Sequence, residues 1–305
     1  MTKKTKKIAI LEGGISSERE VSLSTGKACF KTFQKLGYNV KSIDTKDNFI
    51  QKLVQFKPDV VFNALHGRGG EDGRIQGILE TMNIPYTHSG VLASAIAMDK
   101  NIAKVCFKDA GIPVIDHKIL QRGFSLEEIP YFFPYVIKPL DGGSSLGVKI
   151  FKNENDWLFN QNYGIEEKRY LVEPYIPGRE LTVATMGDKS LAVTDILSQD
   201  WYDYKAKYKI GGSKHIVPAK IPEIIRKLCL NYALLAHKKL ECRGVTRTDF
   251  RWNEELGDKG LYVLELNTQP GLTPTSLVPE QANHVGMSFE DLCEWLINDA
   301  SCEKL

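Results

Sequence analysis

Two segments near the end of the chain carry residues that can bind a divalent cation. "GVTRTDFRW" and "GLYVLELNT" are both typical of strands, and side chains alternate from face to face along a strand. Asp249 therefore shares a face with Arg247, and Glu265 shares one with Asn267. If the strands pair antiparallel with these faces on the same side, two carboxylates and an amide oxygen converge. Such a set suits Mg²⁺ bound together with substrate phosphates. A surface ladder of paired charges is the alternative interpretation.

The loop that follows, "NTQPGLTPTSLVP", contains groups suited to binding anions. Gly271 allows the backbone to approach a ligand closely, and its N–H group can donate to an oxyanion. The stretch "TPTSL" offers hydroxyl and backbone N–H groups to a carboxylate. By itself this is a proline–glycine loop, but beside a metal site it is predicted to form one wall of an active site.

A glycine-rich loop, "KPLDGGSSLG", is similar to a phosphate-binding loop but has its lysine elsewhere. In a Walker loop the lysine directly follows the second glycine, whereas here Val148 follows Gly147. Lys138 precedes the loop in "YVIKP", which is predicted to be a strand. We predict that Lys138 directs its charge at phosphates held beneath the loop, with Ser144 and Ser145 adding hydroxyl groups. An ordinary hairpin turn is the alternative.

The elements that must position these residues begin with an α/β pattern. "KIAIL" and "DVVFNAL" are typical of strands, and each is followed by a glycine-rich turn and a helix. The first helix is predicted to begin at "SERE", where Ser17 and Glu20 fit a capping box, and to end at Leu36 with Gly37 as a left-handed cap. Strands that alternate with helices indicate a parallel sheet over roughly the first ninety residues.

The pattern then changes. "VLASAIAMDKNIAKVCFKDAG" is predicted to be a helical stretch ending at Gly111. After it, "PYVIKPL" and "GVKIF" flank the glycine-rich loop, "ELTVATM" and "SLAVTDIL" pair across the turn "GDK", and the two segments described first form a last pair. These features predict an α+β region of mainly antiparallel sheet.

Composition narrows the classes of protein. A chain of 305 residues suits two or three domains. The net charge of +2 gives no sign of a nucleic-acid or membrane partner, and no apolar stretch approaches the length of a membrane span. The six cysteines are scattered without a C-x-x-C pair, which argues against structural zinc and against a disulfide framework. We expect a protein of the reducing cytosol.

Taken together, the motifs resemble one known family. "GGISSEREVS", "ALHGRGGEDGRIQG", "MDK", "VIKPLDGGSSLG", "YDYKAKY", "RTDF", "LELNTQPG" and "TSLVP" occur in the order found in D-alanine–D-alanine ligases of the ATP-grasp superfamily. The resemblance implies an α/β N-terminal domain with a parallel sheet over residues 1–96, which binds the first D-alanine. It also implies an α+β ATP-grasp fold of two subdomains with mainly antiparallel sheets, residues 97–180 and 181–305, the second carrying the metal and substrate site.

The resemblance implies a set of ATP ligands. Three lysines match those that contact phosphates: Lys100, Lys138 and Lys207, the last on a loop that closes over the site. Ser145 belongs to the glycine-rich loop that covers the phosphates. The base and ribose ligands are Glu173, which accepts from the adenine amino group, Ile176, which offers its backbone N–H, and Glu180, which binds the ribose. The metal ligands match the set found from the strand faces, Asp249, Glu265 and Asn267. Two Mg²⁺ ions are implied, with Mn²⁺ as a substitute.

The resemblance also implies contacts to the first D-alanine. Glu18 matches the residue that holds its ammonium group, although an acid in the first turn of a helix is also favoured by the helix dipole. Ser144 and Tyr208 match partners that are linked to Glu18 by hydrogen bonds and close the site. His66 is expected to contact this substrate, and a structural role for it is left open.

The remaining contacts concern the second D-alanine and the bond that is formed. Arg247 and the Gly271 N–H match the groups that stabilise an oxyanion. Ser276 and the Leu277 N–H match the groups that bind the carboxylate of the second D-alanine. There are departures as well: Pro174 replaces a lysine common in the family, and Gln269 stands where serine or methionine is common.

The implied activity is a carboxylate–amine ligation that forms D-alanyl-D-alanine through an acyl phosphate, with release of ADP and phosphate, for peptidoglycan precursors. One alternative is a D-alanine–D-lactate ligase, and Tyr208 favours the dipeptide. A second alternative is a catalytically silent ATP-binding regulator, which would be expected to lack a metal ligand or Arg247. An NAD-linked oxidoreductase is disfavoured because G-x-G-x-x-G is absent. We expect a cytoplasmic homodimer that binds D-alanine and ATP and neither nucleic acid nor a membrane.

Overall fold

The fold is described from a computed structural model of the chain. The structure describes residues 6–140, 147–158, 160, 164, 167–197, 214–273 and 275–303. These residues form three sheets. Ser144, Ser145, Lys207 and Tyr208, which the sequence predicts to be functional, lie outside the described residues.

The first sheet is parallel and lies in the N-terminal part of the chain. In spatial order its strands are β2 (Asn39–Asp44), β1 (Lys7–Glu12) and β3 (Val60–Asn63). The helices that accompany them are α1 (Arg19–Lys35), α2 (Phe49–Phe56) and α3 (Arg74–Thr81). Ile8 lies opposite Val40 on one side and Val60 on the other, both in parallel register. The predicted parallel α/β beginning is confirmed.

Helix α1 starts differently from the prediction. It begins at Arg19 with Glu18 as its N-cap residue, and Glu18 makes no side-chain cap. The predicted capping box of Ser17 and Glu20 is therefore wrong. Ser16 Oγ instead accepts from the Glu18 N–H at 3.0 Å, so a different serine orders this turn. The predicted left-handed Gly37 after the helix is confirmed by its φ of +81°.

The long helical stretch before Gly111 is divided in two. Helix α4 (Val91–Met98) and helix α5 (Lys100–Asp109) meet at Asp99, which has an extended backbone. The Asp99 carboxylate accepts from the N–H groups of Asn101 and Ile102 at 3.0 and 3.1 Å. This cap satisfies donors that a helix start leaves unpaired. It makes Lys100 the first residue of α5.

The second sheet is antiparallel and carries Lys138. In spatial order its strands are β4 (Lys118–Gln121), β7 (Arg169–Pro174), β5 (Tyr135–Pro139) and β6 (Lys149–Phe151). A short helix, α6 (Glu154–Leu158), follows β6. Stacked rings of Tyr135 and Phe151, with centroids 5.5 Å apart, form part of its core. Lys138 lies within β5, as predicted.

The third sheet is also antiparallel and carries the candidate cation ligands. In spatial order its strands are β10 (Lys214–Ile216), β9 (Lys189–Leu197), β8 (Arg179–Met186), β11 (Val245–Trp252) and β12 (Leu261–Asn267). Helix α7 (Glu223–Lys239) and helix α5 pack on it: Cys229 and Phe107 share a core with Phe250. The predicted α+β region of antiparallel sheets is confirmed.

The end of the chain returns to the first sheet. Helices α8 (Leu277–His284) and α9 (Phe289–Asp299) share a core with that sheet, in which Val278 and Leu296 pack with Ile8 and Phe62. All six cysteines are free thiols. In the ranges given above, no helix is both long enough and apolar enough to span a membrane. The domain limits at 96/97 and 180/181 stay predictions.

Candidate active site

The strand pair that carries the candidate cation ligands has the predicted register. Asp249 lies directly opposite Glu265, and Arg247 lies opposite Asn267, in an antiparallel pairing of β11 with β12. Residues directly opposite each other point to the same face of a sheet. The register shifts immediately after Asp249, and such bulges are common beside active sites. The predicted placement of the two carboxylates on one face beside Arg247 is confirmed, and their role as metal ligands stays a prediction.

Asp249 is held by three side chains. Arg247 donates to both of its oxygens, from Nε to Oδ1 at 2.8 Å and from Nη2 to Oδ2 at 2.7 Å. Thr182 Oγ1 donates to Oδ1 at 2.6 Å, and Asn267 Nδ2 donates to Oδ2 at 3.1 Å. A carboxylate oxygen has more than one lone-pair site. The four donors occupy the roughly four lone-pair sites of the carboxylate, so a cation that binds Asp249 would replace at least one of these donors.

The chemistry of these donors fits Mg²⁺ that is shared with a phosphate. Asp249, Glu265 and Asn267 supply oxygen atoms, the ligands that Mg²⁺ prefers. No group of three or more histidine, cysteine, aspartate or glutamate side chains suited to a metal occurs among the residues that the structure describes. Two carboxylates and one amide leave coordination positions for water and substrate, which is usual for this ion.

Lys100 connects helix α5 to this strand pair. Its Nζ lies 3.4 Å from Glu265 Oε2, and its side chain is largely buried. The ammonium group is thus placed at the edge of the proposed cation site. A lysine in this position is suited to a phosphate group that the cation also binds.

Lys138 points at a carboxylate that the sequence analysis assigned to the base. Glu173 Oε1 accepts from Lys138 Nζ at 2.7 Å, and Glu173 Oε2 accepts from Lys104 Nζ. Glu173 is only 2% exposed. Burial alone raises the pKa of Glu173, but the two lysines outweigh it and lower the pKa to about 2. Glu173 is therefore ionised at neutral pH, and the role predicted for it toward the adenine amino group stays a prediction.

Lys104 is the functional candidate that the sequence analysis missed. It is 1% exposed, and its Nζ also donates to the Ile115 carbonyl at 3.0 Å. Burial lowers the pKa of Lys104 to about 8, against the opposing effect of Glu173. The segment "MDKNIAK" could have indicated Lys104, because it lies four residues after Lys100 and residues four apart lie on one face of a helix. The Glu173 carboxylate is therefore flanked by two ammonium groups, those of Lys104 and Lys138.

The base and ribose candidates lie where the second and third sheets join. Ile176 follows β7, and its carbonyl accepts from Arg251 Nε at 2.9 Å. Glu180 lies on β8 directly opposite Arg251 on β11, with Oε2 3.7 Å from Arg251 Nη1. No role was predicted for Arg251 from the sequence.

Glu18 lies at the N-terminal sheet, where the first substrate is predicted to bind. It is 5% exposed. A Cβ atom at Gly67 would lie 3.0 Å from Glu18 Oε1, so only glycine fits this approach without displacing the carboxylate. Ser16 Oγ donates to the His66 carbonyl at 2.6 Å. The turn before α1 and the loop after β3 are thereby joined around Glu18.

His66 is engaged through both ring nitrogens. Nε2 lies 3.1 Å from Thr25 Oγ1, and Nδ1 lies 3.1 Å from Glu71 Oε1. The side chain is almost completely buried. The direct substrate contact predicted for His66 stays a prediction, and these partners favour the structural alternative, in which His66 orders the loop next to Glu18.

The loop after β12 brings the remaining candidates together. Ser276 is the N-cap residue of α8, its Oγ accepts from the Thr273 N–H at 3.1 Å, and Leu277 is the first helical residue. A Cβ atom at Gly271 would lie 3.4 Å from Ser276 Oγ. Backbone N–H groups at a helix start favour anions, which suits the carboxylate predicted to bind there.

Gln269, one of the departures from the family pattern, links this loop to the first sheet. Its Oε1 accepts from Asn63 Nδ2 at 2.5 Å, and its Nε2 donates to the Leu65 carbonyl. Both partners lie at the end of β3 or just after it. The glutamine therefore connects the two parts of the chain that carry the candidates for the two substrates.

Comparisons with known proteins agree with this geometry. A family model described as D-ala D-ala ligase N-terminus matches residues 44–89, and one described as D-ala D-ala ligase C-terminus matches residues 106–298. The D-alanine–D-alanine ligase of Ruegeria sp. (strain TM1040) is 53% identical over 98% of this chain and 97% of that protein. The one from Cereibacter sphaeroides (strain ATCC 17025 / ATH 2.4.3) is 52% identical with the same coverage.

Solved structures give the same result. A D-alanine–D-alanine ligase from Bacillus anthracis complexed with ATP is similar with a TM-score of 0.81 and 29% identity. A second structure of a ligase from that organism is similar with a TM-score of 0.83 and 31% identity. In both comparisons 97% of each chain is covered.

Proposed function

We propose, on the premise that this chain belongs to the D-alanine–D-alanine ligase family, that it joins two D-alanine molecules into D-alanyl-D-alanine with cleavage of ATP to ADP and phosphate. The observation that carries this proposal is the pairing of Asp249 with Glu265 beside Arg247. This arrangement supplies the groups that ATP-dependent activation of a carboxylate requires. The product serves peptidoglycan precursor synthesis, and we place the enzyme in the cytoplasm as a homodimer.

Lysines and oxygen ligands carry the phosphoryl transfer. The carboxylate of the first D-alanine, held through its ammonium group by Glu18, attacks the γ-phosphate and becomes an acyl phosphate. Lys100, Lys138 and Lys207 offset the negative charge of the phosphates. Lys104 balances Glu173, so that Lys138 contributes a net positive charge. Ser145 in the glycine-rich loop adds a hydroxyl group.

Asp249, Glu265 and Asn267 would hold Mg²⁺, as one or two ions, with Mn²⁺ as a substitute. When bound, the metal polarises the phosphate oxygens and neutralises charge that develops on them. Glu173, Ile176 and Glu180 bind the adenine and the ribose. The protein's own contribution is to orient the nucleotide toward the carboxylate that will be activated.

A second set of residues directs peptide-bond formation. Ser276 and the Leu277 N–H bind the carboxylate of the second D-alanine and present its amine to the acyl carbon. Arg247 and the Gly271 N–H stabilise the oxyanion of the tetrahedral intermediate, from which phosphate leaves. Ser144 and Tyr208 link to Glu18 and close the site, and His66 orders the adjacent loop. Closure excludes water, which would otherwise hydrolyse the acyl phosphate.

The test is a measurement of D-alanine-dependent ADP release by the purified chain with ATP and Mg²⁺, with the product identified by mass. Asp249→Asn serves as the control, because it removes the negative charge of one proposed metal ligand and retains the side-chain volume. We expect a product with the mass of D-alanyl-D-alanine. A parallel reaction with D-lactate tests the alternative acceptor, and preferential ester formation would overturn the dipeptide assignment. A folded protein without D-alanine-dependent ADP release would contradict the whole proposal.

A further inference from the structure

Arg251 is a largely buried arginine on the strand that carries Arg247 and Asp249. Its side chain is 12% exposed. The residues directly opposite it are Glu180 on β8 and Tyr262 on β12. Because Arg251 lies two residues after Asp249 on the same strand, both side chains belong to one face of the third sheet. None of the roles assigned above uses it.

The guanidinium group of Arg251 contacts the segment that joins the second sheet to the third. Nε donates to the Ile176 carbonyl at 2.9 Å, and Nη2 donates to the Tyr175 hydroxyl at 3.2 Å. Arg251 Cζ also lies 5.6 Å from the centroid of the Tyr175 ring, within the range of a cation–π interaction. The backbone N–H of Ile176 lies between these two points of attachment.

The same segment is pressed against the end of β11. Gly178 has a φ of +107°, and a Cβ atom there would lie 2.1 Å from the Trp252 carbonyl oxygen. On its other side, the Tyr175 N–H donates to the Pro134 carbonyl at 3.1 Å, next to the second sheet. Residues 175–178 are therefore fixed between the two sheets, and Arg251 supplies the side-chain contacts from the third.

Arg251 also faces Glu180, with Nη1 3.7 Å from Glu180 Oε2. A planar guanidinium group can donate in three directions at fixed angles, which an ammonium group on a flexible stem cannot do. Arg251 thus contacts both Ile176, the proposed adenine ligand, and Glu180, the proposed ribose ligand.

We infer that Arg251 is a positioning residue for nucleotide recognition, which holds Tyr175, Ile176 and Glu180 where they select adenosine. The inference rests on the proposed function, because it requires that Ile176 and Glu180 bind ATP. In this role Arg251 acts through Tyr175, Ile176 and Glu180, which it contacts, and not on the reacting groups. Its loss should therefore affect how tightly and how selectively the nucleotide binds, and leave the chemical step unchanged.

The main test is Arg251→Met, which keeps a long apolar side chain and removes the guanidinium group. We expect the KM for ATP to rise about tenfold, in keeping with loss of hydrogen bonds from a charged donor. At saturating ATP, kcat and the KM for D-alanine should stay within about twofold of the wild-type values, because the reacting groups are untouched. Arg251→Lys should lie between Arg251→Met and the wild type.

Base selection separates positioning from a merely structural role. Inosine triphosphate carries an oxo group where ATP carries the adenine amino group. The ratio of kcat/KM for ATP to that for inosine triphosphate should fall several-fold in Arg251→Met, since the base-reading segment is less firmly held. A structural defect would lower kcat for both nucleotides and leave the ratio unchanged, and that result would overturn the inference.

Two further variants complete the design. Tyr175→Phe removes one hydroxyl, and its effect on the KM for ATP should not add to that of Arg251→Met if both act through one contact. It also tests the inference if Arg251→Met fails to fold, because an unchanged KM for ATP in both Tyr175→Phe and Arg251→Lys would contradict it. Arg74→Met, on the exposed surface of α3, is the matched control and should behave as wild type.

Direct binding of ADP, measured by calorimetry on the full chain, distinguishes a failure of the proposed function from a failure of the role inferred for Arg251. If the wild-type chain binds no ADP, the proposed function fails. If the wild-type chain binds ADP and Arg251→Met binds it equally well, the function stands and the positioning role is refuted. Weaker ADP binding by Arg251→Met alone supports the inference.

Discussion

Glu173 lies between Lys104 and Lys138, and Glu265 lies 3.4 Å from Lys100. At the scale of single residues, the described lysines of the site outnumber the carboxylates that they contact. The excess positive charge is partly withdrawn from water, where its attraction for an anion is stronger than at the surface. These residues are therefore suited to bind a triphosphate.

Arg247 is the residue whose loss should affect turnover most directly. We expect Arg247→Ala to reduce kcat by roughly 10²–10³, the usual effect of removing one oxyanion donor. The measurement is ADP release at saturating ATP and D-alanine, with folding checked by thermal unfolding. Arg247→Lys keeps the charge but loses the two-point contact to Asp249 and should be intermediate. Near-normal turnover in Arg247→Ala would refute the assigned role.

Lys104 provides a stability prediction at the same scale. Lys104→Met leaves Glu173 with one fewer buried cation, and we expect the free energy of unfolding to fall by about 3 kcal/mol. Lys108→Met is the matched control, one turn later on α5, where the lysine is exposed and lies 3.4 Å from Asp116. Its effect should stay within about 0.5 kcal/mol. Equal unfolding midpoints in urea for the two variants would contradict the importance of the buried cluster.

At the scale of elements, the break between α4 and α5 determines where Lys100 lies. The sequence pattern is helical on both sides of Asp99, and one continuous helix would leave no N-terminus at Lys100. The cap formed by Asp99 starts a new helix there. Helix α5 then extends from Glu265 on the third sheet to Glu173 on the second, since Lys100 contacts the former and Lys104 the latter.

The cap can be tested separately from its charge. Asp99→Ala should lower the free energy of unfolding by about 1 kcal/mol, the usual cost of losing a capping side chain. It should also raise the KM for ATP several-fold, because the first turn of α5 positions Lys100. Asp99→Asn keeps a capping oxygen and is the control, with smaller effects on both quantities. If Asp99→Ala left the KM for ATP unchanged, the start of α5 would not position Lys100.

At the scale of the whole molecule, distant parts of the chain share cores. Helices α8 and α9 pack on the first sheet, and Gln269 joins the loop after β12 to the end of β3. His88 lies at the same junction, with its ring centroid 6.0 Å from that of Phe62. A Cβ atom at Gly244 would lie 2.9 Å from His88 Cα, so this junction is closely packed.

Two buried histidines, His88 at this junction and His237 on α7, make stability sensitive to acid. Burial lowers the pKa of His88 to about 3, and burial lowers that of His237 to about 4. The unfolded chain takes up these protons near pH 6.5, whereas the folded chain does not until the pH is much lower. The free energy of unfolding should therefore fall as the pH falls from about 6.5 toward 3, by about 1.4 kcal/mol per pH unit for each group.

The measurement is the free energy of unfolding in urea at several pH values between 7 and 4. His88→Asn tolerates the left-handed backbone at this position and removes one titrating group, so its slope against pH should be shallower. His284→Asn, exposed near the end of α8, is the control and should retain the wild-type slope. Parallel slopes for the wild type and His88→Asn would contradict the account.

Local patterns in the sequence determined the type of most elements and one part of the site. Alternation along each strand predicted that Asp249, Glu265 and Asn267 lie beside Arg247 if the strands pair antiparallel, because a one-residue slip would turn one set of side chains to the other face. The parallel beginning and the antiparallel sheets followed from similarly local signals. The start of α1 and the break at Asp99 were missed, because each depends on which side chain caps a turn.

Only the tertiary structure decided which buried charges meet. Lys104 and Glu173 are 69 residues apart, and Arg251 and Ile176 are 75 apart. No local periodicity links such positions, since their contact depends on how helix α5 and the connecting segment pack between two sheets. A buried lysine or arginine looks like any exposed one in a sequence. Its partner appears only when the sheets that enclose it are placed together.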